Sequence, residues 1–76
     1  MGRDFEQIKG ELAANVRTLR RAQKMSQETL ALSADVDRTY VSQIERSTGN
    51  PSLHVMIKLA KTLEVDLLDL LRQRQD

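Results

Sequence analysis

Residues 26–46 read SQETLALSADVDRTYVSQIER and contain two short helical patterns, separated by little more than the three residues ADV. Ser26 and Asp37 stand where the two helices would start, and their side-chain oxygens can accept hydrogen bonds from first-turn amides. The positions that would form the shared core are apolar: Leu30, Ala31, Ala34, Val36, Val41 and Ile44. A connection this short forces two helices to cross steeply, so the stretch predicts a helix-turn-helix unit.

The turn of such a unit usually contains a residue with positive φ, most often glycine. Asp35 stands there instead. Aspartate is one of the few other residues that tolerate the left-handed region. We therefore expect the turn to form, at some cost in local stability.

The chain on both sides of this unit has helical periodicity and no strand pattern. A first helix is expected at roughly 5–24, with an inner face formed by Phe5, Ile8, Leu12, Val16 and Leu19. A fourth helix should follow the cap Ser52, with an apolar stripe formed by Leu53, Met56, Ile57, Ala60 and Leu63. Asp66 would cap a last short helix. The sequence thus predicts one compact all-α domain of five helices over residues 1–76, with the helix-turn-helix at about 26–46.

Composition argues against several classes of protein. The 76 residues include no cysteine, so we expect neither disulfides nor a cysteine-based zinc site, which fits a reducing cytoplasm. The N-terminus lacks the apolar stretch of a signal peptide, and no apolar run is long enough to cross a membrane. His54 is the only histidine, and no catalytic arrangement or glycine-rich phosphate loop is present. We expect no metal, no cofactor and no enzymatic activity.

Charge is distributed unevenly, although the net charge is only +1. Residues 15–24, NVRTLRRAQK, carry four cations and no acid, whereas residues 63–71, LEVDLLDLL, carry three acids and no base. Taken alone, this asymmetry is best explained by ordinary solvated helix faces. Charge by itself therefore does not indicate a nucleic-acid binder.

The outward face of the second helix of the unit consists of side chains that can hydrogen-bond. Residues on one side of this helix are Arg38, Thr39, Ser42, Gln43 and Arg46. Arg can pair with a guanine edge and Gln with adenine, while a Thr methyl can meet a thymine methyl. A recognition helix contacts bases with its N-terminal residues, here Arg38 and Thr39. A solvated polar face is the alternative, and these residues alone do not decide between the two.

Four motifs follow one another along the chain: SQETLA (26–31), RTYVSQIER (38–46), NPSL (50–53) and LAKTLEVDLLDLL (59–71). With these motifs in this order and spacing, the chain from about Val16 to Leu71 resembles the Xre/Cro–C1 type of helix-turn-helix domain, the fold of lambda-like phage repressors. The phrase DRTYVSQIER (37–46) also resembles the small controller proteins of restriction–modification systems. Ser47 stands where the family usually has glycine.

The resemblance implies a DNA-binding site, position by position. It assigns base contacts to Arg38, Thr39, Ser42 and Gln43. Contacts with DNA phosphates are expected from Ser26, Gln27, Tyr40, Arg46, Thr48 and Asn50, and from backbone amides of the loop. Gln27 has a structural alternative as a helix-start residue, and Tyr40 as a half-buried ring at the helix edge. Arg20 and Glu45 match a partly buried ion pair that holds the recognition helix at a fixed angle.

The last helix, expected at about 66–72, is apolar on most sides. Its apolar residues and the one before it are Val65, Leu67, Leu68, Leu70 and Leu71. One face can close the core, and the remainder would be exposed, which usually marks an interaction surface. We expect a homodimer through Val65, Leu67, Leu68 and Leu71, in agreement with the family. The alternative is that all five side chains pack beneath the first helix.

These patterns predict a regulator of transcription that binds double-stranded DNA as a homodimer at a pseudo-palindromic site. Occupancy would follow protein concentration, without a small-molecule ligand. The rival is a protein–protein module, such as an antitoxin or adaptor, on the same scaffold. A groove reader needs Arg38 and Gln43 projecting freely, whereas an adaptor would show apolar anchors on that face.

Overall fold

The helices, in chain order, are α1 (Phe5–Ala22), α2 (Gln27–Ala34), α3 (Arg38–Glu45), α4 (Leu53–Leu63) and α5 (Leu67–Leu71). The computed structural model describes residues 2–73, and these helices are the only regular elements within that range. No helix in it has the length and apolar composition needed to cross a membrane. The predicted all-α, five-helix fold class is therefore confirmed. The domain ends predicted at residues 1 and 76 lie outside the described residues.

Every helix begins at a residue whose side chain accepts a hydrogen bond from an amide in the first turn. These N-caps are Asp4, Ser26, Asp37, Ser52 and Asp66. At α1 and α5 the bond is reciprocal, because the side chains of Gln7 and Asp69 accept from the amides of Asp4 and Asp66 at 2.8 and 2.9 Å. Such caps satisfy first-turn amides that have no partner within the helix, which places each helix start.

Each of the first four helices is followed by a non-glycine residue in the left-handed region. These residues are Lys24, Asp35, Ser47 and Glu64, with φ angles of 59, 58, 58 and 61°. The next amide along donates to a carbonyl five positions earlier, at 3.0 Å for Met25, Val36 and Val65 and at 2.9 Å for Thr48. This Schellman arrangement turns the chain sharply away from the helix axis. The helix-turn-helix turn and the exit from α3 thus take a conformation that glycine usually supplies.

We expect Asp35→Gly to raise the free energy of unfolding by about 0.5–1 kcal/mol. The left-handed conformation costs a residue with a Cβ about 1–2 kcal/mol, and the greater freedom of glycine in the unfolded chain offsets part of the gain. Ser33→Gly is the matched control, because Ser33 is exposed within α2 and glycine inside a helix is destabilising. Urea unfolding compares the two variants, and equal destabilisation by both would contradict the expectation.

The core lies where α2 packs against α3 and α4 and where α1 packs against α3 and α5. The largest fully buried side chains are Leu30, Leu59, Leu63, Leu70, Val16 and Val41. Burying each of them contributes about 1.5–3 kcal/mol relative to leaving it in water. This packing fixes the inner side of α3 and leaves Arg38 and Thr39, at its N-terminal end, exposed.

The stripe predicted for α4 was wrong in part. Leu53 and Ile57 are 58% and 37% exposed, whereas Val55 and Leu59 lie in the core. Because the apolar side chains of α4 cover more than half of its circumference, periodicity allowed more than one inner face. Packing against α2 and α5 selects the face with Val55 and Leu59. Phe5, at the start of the inner face predicted for α1, is likewise 53% exposed.

A buried asparagine holds α5 against α1. The Nδ2 atom of Asn15 donates to the carbonyl of Leu70 at 2.9 Å and to that of Arg72 at 2.8 Å. Carbonyls at a helix C-terminus have no partner within the helix, so a side chain from another helix can satisfy them. This contact joins residues that are 55 and 57 positions apart and fixes the orientation of a helix only five residues long.

Candidate nucleic-acid interface

The N-terminal end of α3 is set by its cap. The Asp37 carboxylate accepts a hydrogen bond from the amide of Thr39 at 2.8 Å, and this bond holds the pKa of Asp37 below its usual value. The cap leaves Arg38 and Thr39 exposed in the first turn. The Arg38 side chain makes no hydrogen bond or ion pair with the other described residues. Its guanidinium is therefore available to an external partner.

Two surface cavities meet at Arg38. One, of about 230 Å³, is lined by Arg38, Thr39, Ser42 and Arg46 along α3. The other, of about 420 Å³, is lined by Arg38 together with Arg20, Ser26, Gln27 and Glu28, between α3 and the start of α2. The first brings three of the predicted base contacts together with Arg46. The second places Arg38 beside Ser26 and Gln27, which the sequence assigns to phosphates.

Gln43, the fourth predicted base contact, lines a different and smaller cavity. This space of about 40 Å³ is formed by Tyr40, Gln43, Ile44, Thr48, Asn50 and Pro51. The ring of Tyr40 is 48% exposed. Three predicted phosphate contacts, Tyr40, Thr48 and Asn50, therefore share one hollow with Gln43 at the C-terminal side of α3.

Some predicted phosphate contacts already use their side chains inside the protein. The hydroxyl of Ser26 accepts from the amide of Thr29 and donates to its side chain, both at 2.9 Å. The hydroxyl of Thr48 donates to the carbonyl of Gln43 at 3.2 Å, and its amide donates to the same carbonyl at 2.9 Å. A phosphate oxygen only accepts hydrogen bonds, so Thr48 would have to rotate its hydroxyl to donate to one.

Glu45 gathers donors from two other helices. Its carboxylate accepts from Nε and Nη2 of Arg20 at 2.6 and 2.8 Å, and from Nε2 of Gln27 at 3.2 Å. Arg20 also donates through Nη1 to the carbonyl of Met25 at 2.8 Å. Arg20 and Glu45 are 9% and 4% exposed. This cluster links α3 to both α1 and α2. It thereby fixes the angle between α3 and these two helices.

Burial works to raise the pKa of Glu45, but hydrogen bonds from Arg20 and Gln27 and the charges of Arg20 and Arg17 outweigh it. The pKa of Glu45 therefore lies below its ordinary value. The hydrogen bond to Glu45 correspondingly raises the pKa of Arg20, against the opposing effect of burial. Both groups are charged at neutral pH, so the ion pair is intact there.

Arg17 was not among the site residues predicted from the sequence. Its Nη2 donates to the backbone carbonyl of Glu45, and its Nε lies 3.7 Å from the Glu45 carboxylate. A cation at the C-terminus of α3 interacts favourably with the helix dipole. The cation-rich stretch 15–24 was the only sign of it in the sequence, and nothing in that stretch distinguishes Arg17 from its neighbours.

The predicted dimer residues do not all face outward. Leu68 is 70% exposed, whereas Val65, Leu67 and Leu71 are partly buried and pack against the core. Leu70 is completely buried and closes the core of its own chain. A surface cavity of about 400 Å³ beside α5 is lined by Arg3, Ile8, Leu68, Leu71 and Arg72. Arg3 was not among the residues predicted from the sequence, whereas Ile8 was placed on the inner face of the first helix, beneath which the alternative packs these side chains.

Comparisons with known proteins agree with this geometry. A family model described as helix-turn-helix matches residues 16–70. Control protein C.SmaI of Serratia marcescens is 40% identical over 70 residues, which are 92% of this chain and 83% of that protein. The restriction-modification controller protein C.AhdI from Aeromonas hydrophila superposes with a TM-score of 0.77 at 39% identity, covering 82% of this chain and 94% of that one. The N-terminal DNA-binding domain of SinR from Bacillus subtilis superposes with a TM-score of 0.79 at 29% identity, covering 86% of this chain and 96% of that one.

Proposed function

Because this chain belongs to the Xre/Cro–C1-like helix-turn-helix family, we propose that it is a regulator of transcription that binds double-stranded DNA at specific sequences. The observation that carries the proposal is the exposed Arg38 side chain at the start of α3, between the two cavities that contain most of the predicted contacts. An adaptor would need apolar anchors on the same face. The described side chains that line it on α3 are polar.

In this proposal the N-terminal end of α3 enters the major groove. Arg38 reaches a guanine edge, while Thr39, Ser42 and Gln43 contact neighbouring bases. Gln27 at the start of α2 and Arg46 at the end of α3 contact phosphates on either side of the groove. The Glu45 cluster keeps these two groups of contacts in one geometry, because it joins Gln27 directly to α3.

The similarity to control and controller proteins suggests a narrower role. We place this chain among regulators of restriction–modification systems, acting in the cytoplasm, where DNA is accessible. In this proposal no small-molecule ligand takes part. The protein's occupancy of DNA would then depend on its own concentration through dimerisation.

We further propose that the protein is a homodimer that uses the outer side of α5. An exposed leucine beside a partly apolar cavity is a surface that a second copy can cover. Arg3 lines the same cavity, and its Nη1 atom has no hydrogen-bond partner among the described residues.

Leu68→Lys should convert the dimer to monomer at micromolar concentration, because the contact would bury an unpaired charge. Sedimentation equilibrium measures the change. Leu32→Lys is the matched control: Leu32 on α2 is 77% exposed, and the same substitution there should leave the dimer intact. A monomeric parent protein, or dissociation by both substitutions, would contradict the assignment of the interface to α5.

The function itself can be tested by selection of bound duplexes from a random DNA pool. We expect enrichment of one sequence with two-fold pseudo-symmetry, whose half-sites lie about 34 Å apart along the duplex. Weak binding without enrichment of any sequence would contradict sequence-specific regulation. A selected site without internal symmetry would leave DNA binding standing but contradict the symmetric dimer.

A further inference from the structure

Lys9 lies on the part of α1 that precedes the region matched by the helix-turn-helix model, yet it reaches the loop between α3 and α4. Its Nζ atom donates to the carbonyl of Gly49 at 3.4 Å, across 40 positions of sequence. The ammonium also lies 4.7 Å from the centre of the Phe5 ring and 3.4 Å from the Glu6 carboxylate. The Lys9 side chain is only 13% exposed. An ammonium covered in this way has a defined position.

The carbonyl that Lys9 contacts belongs to the same peptide unit as the amide of Asn50. The chain contains no cis peptide bond among the described residues, so this unit is trans and its C=O and N–H point in opposite directions. With the Gly49 carbonyl held toward α1, the Asn50 N–H points away from α1. No hydrogen bond within residues 2–73 uses that amide, and Asn50 is exposed.

We propose that Lys9 is a positioning residue that orients and polarises the Gly49–Asn50 peptide so that the Asn50 amide donates to a DNA phosphate. The proposal rests on the proposed DNA-binding function. It gives Lys9 a role in that function although Lys9 itself does not contact DNA. A cation on a carbonyl oxygen draws electron density from the amide nitrogen and makes its N–H a stronger donor. Amides bind phosphate oxygens well because phosphates only accept.

The residues on either side of this peptide also restrict its conformation. Gly49 has a φ of 74°, a conformation that glycine adopts without strain, and Pro51 restricts Asn50 to extended backbone. Thr48 directs both its amide and its hydroxyl to the carbonyl of Gln43. The amides of Gly49, Asn50 and Ser52 make no hydrogen bond within the described residues, and among them the Asn50 amide belongs to the peptide unit whose carbonyl Lys9 contacts.

The test compares Lys9→Met, which keeps the length of the side chain without its charge, with Lys61→Met. Lys61 is exposed in the last turn of α4, so its substitution makes the same change in net charge elsewhere. At fixed salt, Lys9→Met should weaken binding to the selected duplex and to unrelated duplexes alike, by about tenfold for the dimer. Lys9→Arg should restore most of the affinity, and Lys61→Met should change it much less.

The dependence of affinity on salt separates positioning from direct contact. Loss of a cationic side chain that neutralises a phosphate reduces the magnitude of the slope of log K against log salt by about 0.9, whereas loss of a contact from an uncharged amide does not. If Lys9 only positions the peptide, it neutralises no phosphate and does not contribute to the slope. The slope for Lys9→Met should therefore equal that of the parent protein. A reduced slope, or an unchanged affinity, would overturn the proposal.

A second measurement needs no DNA. In the free protein, Lys9→Met should move the amide proton resonance of Asn50 upfield, because the peptide is no longer polarised, while thermal unfolding shows that the variant is folded. An unmoved Asn50 resonance would overturn the proposal even if affinity fell. If the parent protein bound no duplex, the DNA-binding function would fail, and this resonance alone would still decide whether Lys9 orients the peptide.

Discussion

Arg20→Met is expected to lower the free energy of unfolding by about 3–5 kcal/mol, because it removes one partner of a buried ion pair. The substitution leaves the Glu45 carboxylate buried, with only Gln27 and the more distant Arg17 to compensate it. A domain of this length has a total free energy of unfolding of about 4–11 kcal/mol, so the variant would be close to unfolding. Urea denaturation at neutral pH and low temperature measures the loss.

Arg21→Met is the matched control, because Arg21 is the exposed neighbour of Arg20 on α1. It should change stability by less than about 0.5 kcal/mol. The double variant Arg20→Met, Glu45→Leu should recover much of the stability, since a buried ion pair can be replaced by apolar side chains at little cost. Equal effects of Arg20→Met and Arg21→Met would show that the ion pair does not stabilise the fold.

The same ion pair predicts how stability depends on pH. The pKa of Glu45 is lowered in the folded protein, so between that value and its unfolded value of about 4.3 the unfolded chain binds more protons. The contribution of the Glu45 carboxylate to stability is therefore complete above about pH 5. It is lost as the pH falls through the pKa of Glu45 in the folded protein. The stability difference between the parent and Glu45→Gln should shrink over this acidic range, and a difference that grew on acidification would contradict the assignment.

Arg38→Ala should weaken binding to the selected DNA sequence by about 1–3 kcal/mol and relax the choice of base at one symmetric pair of positions. Arg38 directly follows the Asp37 cap, so its long side chain lies at the end of α3 that enters the groove. A guanidinium can donate to N7 and O6 of guanine together. Competition binding at fixed salt, against duplexes varied at each position, measures both effects.

Arg46→Ala is the matched control at the C-cap of the same helix, because it removes the same side chain from the other end of the same surface cavity. It should weaken binding to all sequences about equally, since phosphate contacts carry no sequence information directly. Arg38→Lys should keep much of the non-specific affinity but lose part of the discrimination, because an ammonium lacks the planar fork. Unchanged base preferences in Arg38→Ala would mean that Arg38 does not read a base.

The sequence by itself determined the helices and the side of α3 that faces outward. The caps Ser26, Asp37, Ser52 and Asp66 could be identified because capping joins a side chain to amides two or three residues further along. The left-handed turn at Asp35 is equally local. Spacing alone places Arg38, Thr39 and Ser42 on one side, since neighbours on a helix surface follow from its pitch. Their contacts with DNA stay a prediction.

Only the tertiary structure decided which groups from distant parts of the chain meet. It selected the inner face of α4, since apolar side chains cover more than half of the circumference of this helix and the neighbouring helices determine which of them are buried. It brought Arg20 and Gln27 to Glu45, and Lys9 to Gly49 across 40 residues. Such contacts depend on the angles and distances at which helices pack, and these arise from the whole core together, which no short stretch of sequence contains.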